Sequence, residues 1–451
     1  MATTRRPSPG RHPAPPADKL RGLHRHELEE ISGLVPYLGR TGDGALTVQG
    51  VHHAEIWDGG APWLLYLPQR AVDNAHSLHT AFRRHFDTSL HFPLKSCYLP
   101  AIGTALRAAG YGVEVMSGLE WRLARRFGFT PGQVVANSPA RSAPHRGELI
   151  AADAGLIGVD SLEELERVEA EAERQGARPR IAVRINPLDE PGAFFSAGSK
   201  LGADLDGAAD LVGRALASPR CEVVGLHAHQ LRHCTDPEMF RRMVRGLAEV
   251  AAATAPRGRP FRLLNLGGGL ESRFLLERAG HTPADFAEVA REALDVLPEL
   301  PAVVLEPGRF LVGDAAVGFS AVTGRKRNSG SNWLISELSS NVLIPLPELA
   351  YHPVPLALDR AADWDDFHVG DATCAPSHLC RSATLPVTVE QDGMAVLNCG
   401  AYTSVYAELW AFALPRIGVL EDGVPRELFG PREEADMFRA LYGSEPGEEA
   451  R

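Results

Sequence analysis

The sequence contains no paired cysteines, no excess of basic residues and no long apolar run. Its six cysteines are scattered without CxxC spacing, which indicates reduced thiols rather than a disulfide framework. The net charge is −11 and no stripe of Lys and Arg is present, so nucleic acid is not expected as a main partner. No apolar run reaches the roughly 18–20 residues that a membrane helix needs. These absences favour a globular protein of the cytoplasm with neither a membrane nor a nucleic-acid partner.

The chain is long enough for two domains, or for one barrel with an appendage. It has 451 residues, of which 44% are hydrophobic and 23% are charged, as in soluble globular proteins. Residues 1–18 are rich in Pro, Arg and Ser but lack the apolar core of a signal peptide, so we expect a disordered tail. We place an N-terminal segment at 19–67, a barrel at 68–310 and a C-terminal β domain at 311–451.

Within the predicted barrel, a short apolar strand, a glycine-containing turn and a helix alternate. The pattern predicts strands at residues 91–95, 112–116, 133–137, 149–152, 155–159, 181–185, 223–229, 263–266 and 303–306. It predicts helices at 71–86, 101–109, 118–126, 162–175, 207–217, 237–253 and 283–296. About eight or nine such units favour an α/β fold of the (β/α)8 TIM-barrel type. An open doubly wound sheet is disfavoured, because no Gly-x-Gly-x-x-Gly follows the first strand.

The periodicity changes after residue 310. Strands are predicted at 316–322, 333–337, 384–389 and 394–397, with joints rich in Pro and Gly and no long helix between them. Helices are predicted at 402–412 and 433–441. A mostly β second domain therefore follows the barrel. The strand signals at 44–67 precede the barrel, so some of them are expected to pair into that β domain.

Two short segments carry the chemistry. Phe92-Pro93-Leu94-Lys95-Ser96 places a lone lysine at the end of an apolar strand, and Leu305-Glu306-Pro307-Gly308-Arg309 places a carboxylate and an arginine at the end of another. A desolvated lysine forms an imine with a carbonyl. A carboxylate holds a protonated pyridine nitrogen, and Gly-Arg suits a phosphate. Together they favour pyridoxal phosphate held as a Schiff base on Lys95, against the plain alternative of a strand-end lysine and a turn.

In a barrel, the residues at the carboxyl ends of the strands surround the active site. This rule gathers one set of candidates: Lys95, Glu114, Asn137, Arg184 or Asn186, His229, Gly267, Gly268, Gly269 and Glu306 to Arg309. The triple glycine offers unobstructed backbone N–H groups to a phosphate, although it is also compatible with a flexible turn.

Two histidines lie on one face of the strand His227-Ala228-His229. No third carboxylate or cysteine ligand stands at a familiar spacing, so we expect no metal. We expect His229 to stack on a flat cofactor and His227 to be a core histidine.

In combination these motifs resemble the fold-type III pyridoxal-phosphate decarboxylases, the diaminopimelate, ornithine/arginine and carboxynorspermidine decarboxylase group with the alanine-racemase-like fold. The resemblance covers about residues 40 to 415 and rests on these segments: Phe92 to Ser96, Glu114, Ser117 to Glu120, Asn137, Asp160 to Leu165, Arg184 to Pro187, Ser199 to Gly202 and Gly225 to His229. It makes Lys95 the Schiff-base lysine and stacks His229 on the pyridine ring. It also implies that Glu306 contacts the pyridine nitrogen. The phosphate region would be held by Gly267–Gly269, Pro307, Gly308 and Arg309.

The resemblance extends into the β domain. Thr373-Cys374 resembles the Gly-Pro-Thr-Cys motif and Gly400-Ala401-Tyr402 the Gly-Ala-Tyr motif. It implies a homodimer in which Cys374 reaches into the partner's site near Cα, while Tyr402 meets the phosphate and the substrate. Cys374 is then the candidate acid that protonates Cα after CO2 leaves.

Several positions depart from the family pattern. Ala375 stands where diaminopimelate decarboxylases carry a glutamate for the distal amine, and Leu343-Ile344-Pro345-Leu346 lacks their arginine for the distal carboxylate. Leu231-Arg232 replaces a Gly-Ser of the phosphate site, and His378 replaces an Asp. Glu337 lies near the position of an amine-binding Asp, and Arg309 is a further substrate contact.

The sequence therefore predicts a carboxy-lyase that removes the α-carboxylate of an amino acid. We expect a substrate whose side chain is modified or tethered to a carrier protein, or an intermediate of specialised metabolism such as a siderophore precursor. A standard diaminopimelate or basic amino acid decarboxylase is the alternative. A degenerate pyridoxal-phosphate-binding regulatory protein is the alternative of another class. An amino-acid racemase of this fold keeps an arginine at the pyridine nitrogen, and Glu306 argues against it.

Overall fold

The computed structural model describes residues 21–188, 199–344, 349, 351–376 and 378–443. The predicted tail at 1–18 lies outside these residues. Among them, no helix is both long and apolar enough to cross a membrane.

The N-terminal segment forms a small sheet and three short helices before the barrel. The strands β1, β2 and β3 pair antiparallel in that order. A fourth strand, β4, leaves this segment and pairs elsewhere. The elements are α1 Arg25–Glu29, α2 Ile31–Leu34, β1 Leu38–Arg40, β2 Leu46–Val48, β3 Val51–His52, α3 His53–Ile56 and β4 Trp63–Tyr66.

Eight parallel strands close into a barrel with helices around it. They are β5 Thr88–Pro93, β6 Gly112–Val115, β7 Val134–Ala136, β8 Leu156–Val159, β9 Arg180–Arg184, β10 Glu222–His227, β11 Leu263–Asn265 and β12 Ala302–Leu305. The helices are α4 Pro68–Arg83, α5 Pro100–Ala108, α6 Gly118–Arg126, α7 Ala143–Ala151, α8 Leu162–Gln175, α9 Leu205–Leu216, α10 Pro237–Thr254, α11 Arg273–Arg278 and α12 Pro283–Ala293. Pairing of β12 with β5 closes the ring.

Local chemistry explains where the barrel elements begin and end. The Ser117 and Ser161 hydroxyls accept the backbone N–H groups of Glu120 and Glu164, each at 3.2 Å, and so cap α6 and α8. Helix α8 ends at Gly176, whose φ of +64° is accessible to glycine at no steric cost. The strands are buried on both faces, as in β6, because helices cover the outside of a parallel barrel.

The second domain is built from two sheets. The six-stranded sheet has the order β16-β19-β13-β4-β20-β21, and the four-stranded sheet has the order β14-β15-β17-β18. The elements after the barrel are α13 Arg309–Val312, β13 Ala316–Ser320, β14 Val322–Asn328, β15 Ser331–Ser336, β16 His352–Pro355, β17 Trp364–Asp371, β18 Cys380–Pro386, α14 Val389–Asp392, β19 Met394–Leu397, β20 Arg416–Glu421, β21 Val424–Phe429 and α15 Pro431–Tyr442. Since β4 lies between β13 and β20, both chain ends contribute, and the expected fold class is confirmed.

Two predicted elements are wrong. Residues 149–152, predicted as a strand, belong to the end of α7, whose buried face includes Leu149 and Ile150. The left-handed turn at Asp153 then separates α7 from the real strand β8. Residues 402–412, predicted as a helix, form turns, with Tyr402 and Ala411 in the left-handed region at φ +60° and +63°. A residue in the left-handed region cannot continue a right-handed α-helix, so no helix runs through Tyr402 or Ala411.

Candidate active site

A cavity of about 610 Å³ lies at the carboxyl ends of the barrel strands, with the β domain forming its opposite wall. This volume falls within the roughly 300–1,000 Å³ of small-molecule sites. Of the residues predicted from the sequence, Lys95, His229, Gly269, Glu306, Gly308, Arg309 and Tyr402 line it. Glu114, Gly267, Gly268 and Pro307 adjoin these residues without lining the cavity. Cys374, Ala375 and Glu337 do not line it.

Lys95 stands at the base of the cavity, in a single 3-10 turn, Leu94–Ser96, that follows β5. The predicted strand 91–95 therefore ends two residues early, at Pro93. Lys95 Nζ donates to Glu114 Oε2 on the neighbouring strand β6, and 28% of the lysine side chain is exposed. Burial alone lowers the pKa of Lys95, but the Glu114 carboxylate beside it raises that pKa above its usual value. Lys95 is thus held as an ammonium until Glu114 is neutralised or displaced.

Glu306 is a buried carboxylate with one oxygen already satisfied. Its Oε1 accepts hydrogen bonds from Asn137 Nδ2 at 2.8 Å and from Asn265 Nδ2 at 2.6 Å. Both amides stand at the ends of barrel strands, β7 and β11, and the two bonds fix the plane of the carboxylate. Oε2 lies 3.7 Å from His227 Nε2 and remains available for a cationic partner in the cavity.

His227 and His229 are both neutral, because burial lowers the pKa of each well below its usual value. The Gly268 N–H donates to His229 Nδ1 at 3.3 Å, so the ring proton belongs on Nε2. Ligand atoms of His227, His229 and Glu306 lie within 4.8 Å of one another, a grouping that sequence spacing did not reveal. Lys95 and Arg184 place positive charge close to both histidines, which disfavours a cation there. The expectation of no metal stays a prediction.

The triple glycine packs where no side chain fits. A Cβ on Gly268 would lie 2.1 Å from the Glu306 carbonyl oxygen, and Gly269 adopts a φ of +94°. The Gly267 N–H donates to Asn265 Oδ1 at 2.9 Å and the Gly268 N–H to His229 Nδ1, so Gly269, which lines the cavity, is where this backbone can meet an anion.

Arg309 is buried beside this loop. Its Nε lies 3.7 Å from Glu271 Oε1, and its guanidinium stacks 5.4 Å from the ring centroid of Tyr402. Its Nη1 has no hydrogen-bond partner among the described residues. The Tyr402 N–H donates to the Ser96 carbonyl at 2.8 Å, which ties the β domain to the lysine turn. A buried guanidinium with an open nitrogen at a cavity wall is suited to an anion.

The β-domain wall of the cavity was largely missed from the sequence. It comprises Ser340, Ile344, Leu349, Tyr351, Ala401, Tyr406 and Glu408. The Tyr351 hydroxyl donates to the Ile344 carbonyl at 3.2 Å and holds that segment in place. These residues come from loops without regular periodicity, so the only signals were the Gly400-Ala401-Tyr402 motif and the missing arginine in the segment 343–346.

The segment around Cys374 borders the cavity without lining it, since the Thr373 hydroxyl lies 3.0 Å from the hydroxyl of Ser340, a residue of the cavity wall. Cys374 is exposed, and its neighbour Thr373 donates to Asp371 Oδ1 at 2.5 Å. His378 packs against Trp333, with ring centroids 4.8 Å apart and ring planes tilted by 31°. Glu337 is half-buried, and burial raises its pKa. The expectation that Cys374 serves a partner subunit stays a prediction.

The cavity offers every group that pyridoxal phosphate requires. An amine faces it from Lys95, a fixed carboxylate from Glu306 and a flat neutral ring from His229. The backbone of Gly269 and Nη1 of Arg309, which has no hydrogen-bond partner among the described residues, supply an anion site at the same rim. The donor set therefore fits the coenzyme, and the assignment of Glu306 to its pyridine nitrogen stays a prediction.

Similar proteins agree with this fit. Diaminopimelate decarboxylase of Aquifex aeolicus is 25% identical over 83% of this chain and 90% of its own length, and that of Methanothermobacter thermautotrophicus is 29% identical over 80% and 86%. The crystal structure of diaminopimelate decarboxylase from M. jannaschii with L-lysine has a TM-score of 0.79 at 21% identity, covering 90% of this chain and 98% of that one. The arginine decarboxylase of Paramecium bursaria Chlorella virus has a TM-score of 0.68 at 19% identity, covering 80% and 95%. These structural likenesses show the fold.

The family model for the pyridoxal binding domain of pyridoxal-dependent decarboxylases matches residues 71–313, more than half of the chain. The match spans all eight barrel strands, and with them Lys95, His229 and Glu306. The expected family, enzyme class and coenzyme are confirmed. The chain belongs to the pyridoxal-dependent decarboxylases, carboxy-lyases that act on amino acids with pyridoxal phosphate as coenzyme.

Proposed function

We propose that this enzyme decarboxylates an amino acid whose side chain is modified or carrier-tethered, or a specialised-metabolism intermediate such as a siderophore precursor. The observation that carries the proposal is Ile344. It lines the cavity and belongs to Leu343-Ile344-Pro345-Leu346, the segment that lacks the arginine expected for a distal carboxylate. The proposal thus concerns the side chain of the substrate, and the decarboxylation itself follows from the family.

The cavity wall proposed to meet the substrate side chain belongs to the β domain and is mainly aliphatic and aromatic. Ile344, Leu349, Tyr351 and Tyr406 line it, and Leu349 and Tyr351 are buried. A distal carboxylate that loses its water against these side chains gains no compensating positive charge from them. Removing a buried charged partner costs about 2–5 kcal/mol, or roughly 30- to 3,000-fold in affinity. Free diaminopimelate, with its distal carboxylate and amine, is therefore a poor ligand.

The barrel residues bind and orient the reacting groups. When bound, pyridoxal phosphate supplies an electron sink for the pair that is left at Cα when the carboxylate departs as CO2. Lys95 Nζ is the amine that attaches the coenzyme. Glu306 Oε2 keeps a proton on the pyridine nitrogen, while Asn137 and Asn265 prevent the carboxylate from rotating away. His229 presents its neutral face to the ring.

A proton must then reach Cα, and we assign its delivery to Cys374. This thiol is exposed on its own chain and does not line that chain's cavity. The assignment therefore requires a homodimer in which each subunit completes the other's site. Tyr402 and Arg309, stacked at the mouth of the cavity, are the proposed contacts to the phosphate and to the substrate.

A standard diaminopimelate decarboxylase is the second candidate. It is favoured by the relatives, which carry that name over 80% or more of this chain. Arg232 and Glu408 also leave one charge of each sign in the cavity wall. A regulatory protein without catalysis is disfavoured, because Lys95 and Glu306 both face the cavity.

The deciding experiment measures CO2 release across a panel of free and amide-extended amino acids. The panel contains diaminopimelate, lysine, ornithine, arginine and side-chain amides of diaminopropionate, aspartate and glutamate, including pantetheine amides. We expect an amide-extended member to exceed free diaminopimelate. Ile344→Arg is expected to raise the kcat/KM for diaminopimelate at least about tenfold, because it supplies the missing partner of the distal carboxylate.

Ile344→Leu is the matched control, since it keeps an aliphatic group at that position and should leave the preference unchanged. Efficient turnover of free diaminopimelate by the wild type, with no gain in Ile344→Arg, would contradict the proposal. The proposed homodimer is tested separately by the molar mass in solution.

A further inference from the structure

We propose that Arg232 is a ligand of the coenzyme phosphate and shares that dianion with Arg309. The inference rests on the proposed orientation of pyridoxal phosphate in the cavity, with its ring nitrogen at Glu306. Arg232 is half-buried and lines the cavity together with Gly269, Gly308 and Arg309. These residues follow β10, β11 and β12, so the subsite is formed by three consecutive barrel loops.

The loop that carries Arg232 is fixed against the glycine loop. The Cys234 N–H donates to the Gly269 carbonyl at 2.9 Å, and the Glu271 N–H donates to the Cys234 carbonyl at 3.0 Å. Cys234 and Leu270 thereby form a parallel bridge. A Cβ on Gly269 would lie 2.2 Å from the Leu231 carbonyl oxygen, so the two backbones touch directly before Arg232. The bridge therefore holds the backbone of Arg232 close to that of Gly269, and both residues line the cavity.

The guanidinium of Arg309 is positioned by two buried side chains, His233 and Glu271. His233 adopts a φ of +50°, and its Nδ1 lies 2.8 Å from Glu271 Oε2. Glu271 is fully buried, and its Oε1 lies 3.7 Å from Arg309 Nε. A non-glycine residue adopts positive φ only when its surroundings hold it there. Here that conformation turns the His233 ring toward Glu271 while its neighbour Arg232 faces the cavity.

Charge balance supports the assignment. In the coenzyme-free cavity Lys95 pairs with Glu114, and Glu306 is held by two amides. The coenzyme brings a phosphate of nearly two negative charges. Arg309 has an open Nη1, and Arg232 supplies a second positive charge at the same end of the cavity. Two guanidinium groups match the charge and the planar, forked geometry that phosphate binding favours.

The test compares two probes that differ only in the phosphate, pyridoxal 5'-phosphate and pyridoxal. Each is titrated into coenzyme-free protein, and Kd is read from the visible absorbance of the bound form. Arg232→Ala is expected to weaken pyridoxal 5'-phosphate binding about 10- to 100-fold, as for loss of a charged hydrogen bond. Its Kd for pyridoxal should change less than about threefold. Arg232→Lys should recover part of the loss, and Arg232→Gln should not.

Arg273→Ala is the matched control, because Arg273 is also half-buried and pairs with Glu277 at 2.7 Å outside the cavity. Thermal midpoints of the apoproteins, and the Arg232→Lys variant, separate a binding defect from misfolding. Equal losses for both probes would assign Arg232 a structural role and overturn the inference. Unchanged coenzyme affinity with a raised KM for substrate would assign Arg232 to a substrate anion and overturn it as well. A wild type that binds neither probe would overturn the coenzyme placement itself.

Discussion

The two walls of the cavity differ in how their side chains are held. On the barrel wall, the charged groups at the strand ends are buried and paired: Lys95 with Glu114, and Glu306 with two asparagine amides. On the β-domain wall, aliphatic and aromatic side chains dominate, and Tyr406 is 60% exposed. The barrel wall is therefore organised before any ligand arrives, as electrostatic catalysis requires. The β-domain wall is shaped for the variable end of a substrate.

With one exception, Leu231-Arg232 after β10, the departures from the family pattern follow the same division. Lys95, His229 and Glu306 retain the pattern and lie at the ends of barrel strands. Ile344 and Ala375, which depart from it, belong to β-domain loops, and of these two only Ile344 lines the cavity. A change on the barrel wall should therefore affect chemistry, and a change on the β-domain wall should affect substrate choice.

Glu306→Gln should produce the largest effect. The amide keeps the shape of the side chain and its contact with the asparagines, but it cannot hold a proton on the pyridine nitrogen. We expect kcat on the best panel substrate to fall by up to about 10³-fold, the scale of a lost electrostatic contact in a buried site. The visible absorbance of the bound coenzyme should persist, because Lys95 is intact.

Glu408→Gln is the matching change on the β-domain wall and should alter KM more than kcat. A Glu306→Gln enzyme with unimpaired kcat would contradict the claim that changes on the barrel wall affect chemistry.

Cys374→Ala should have the next largest effect. Loss of a general acid lowers turnover by about 10²-fold, and the coenzyme should remain bound. Cys380→Ala is the control, since Cys380 is buried in β18 of the same sheet and has no proposed chemistry. Mixing inactive Cys374→Ala with inactive Lys95→Ala subunits should restore activity, because one hybrid site then contains both residues. Normal rate and product from Cys374→Ala, or no recovery on mixing, would reject the shared site.

Glu114→Gln should produce the smallest change, in the pH dependence of coenzyme capture. Only the deprotonated amine attacks, and Glu114 raises the pKa of Lys95, so wild-type capture accelerates as pH rises toward that pKa. Removing the carboxylate lowers the pKa of Lys95, so capture at pH 7 should become roughly tenfold faster, the factor for one pKa unit. Stopped-flow absorbance measures this rate in the coenzyme-free protein.

Glu120→Gln is the control. Glu120 is an equally buried carboxylate, but it accepts from the Tyr98 hydroxyl at 2.9 Å and the Met116 N–H at 2.7 Å, not from Lys95. Identical pH profiles for the wild type and Glu114→Gln would show that the Lys95–Glu114 ion pair does not control the rate of coenzyme capture.

The barrel wall could be predicted from the sequence because a simple geometric rule applies to it. Every parallel strand ends at the same rim, so residues that follow apolar runs, such as Lys95 and Glu306, must converge. The rule also located Asn137, but its hydrogen bond to Glu306 spans 169 residues and depends on side-chain direction. The sequence predicted which residues lie at the ends of the barrel strands. It did not predict that the amides of Asn137 and Asn265 both donate to Glu306 Oε1.

The β-domain wall could not be predicted in the same way. Residues 402–412 contain apolar residues at helical spacing, yet Tyr402 is held at positive φ by its bond to Ser96. Tertiary contact thus overrides local propensity there. Strands β14, β16, β17, β20 and β21 went unpredicted, because short strands between Pro- and Gly-rich joints give weak signals.

The central claim is that Lys95, facing the cavity, carries the coenzyme covalently, and peptide mapping tests it most directly. Purified protein loaded with pyridoxal 5'-phosphate is reduced with borohydride, digested and examined by mass spectrometry. The phosphopyridoxyl mass should be found on the peptide that contains Lys95, and Lys200 and Lys326 should be unmodified. A modification on either of those two lysines, or none at all, would contradict it.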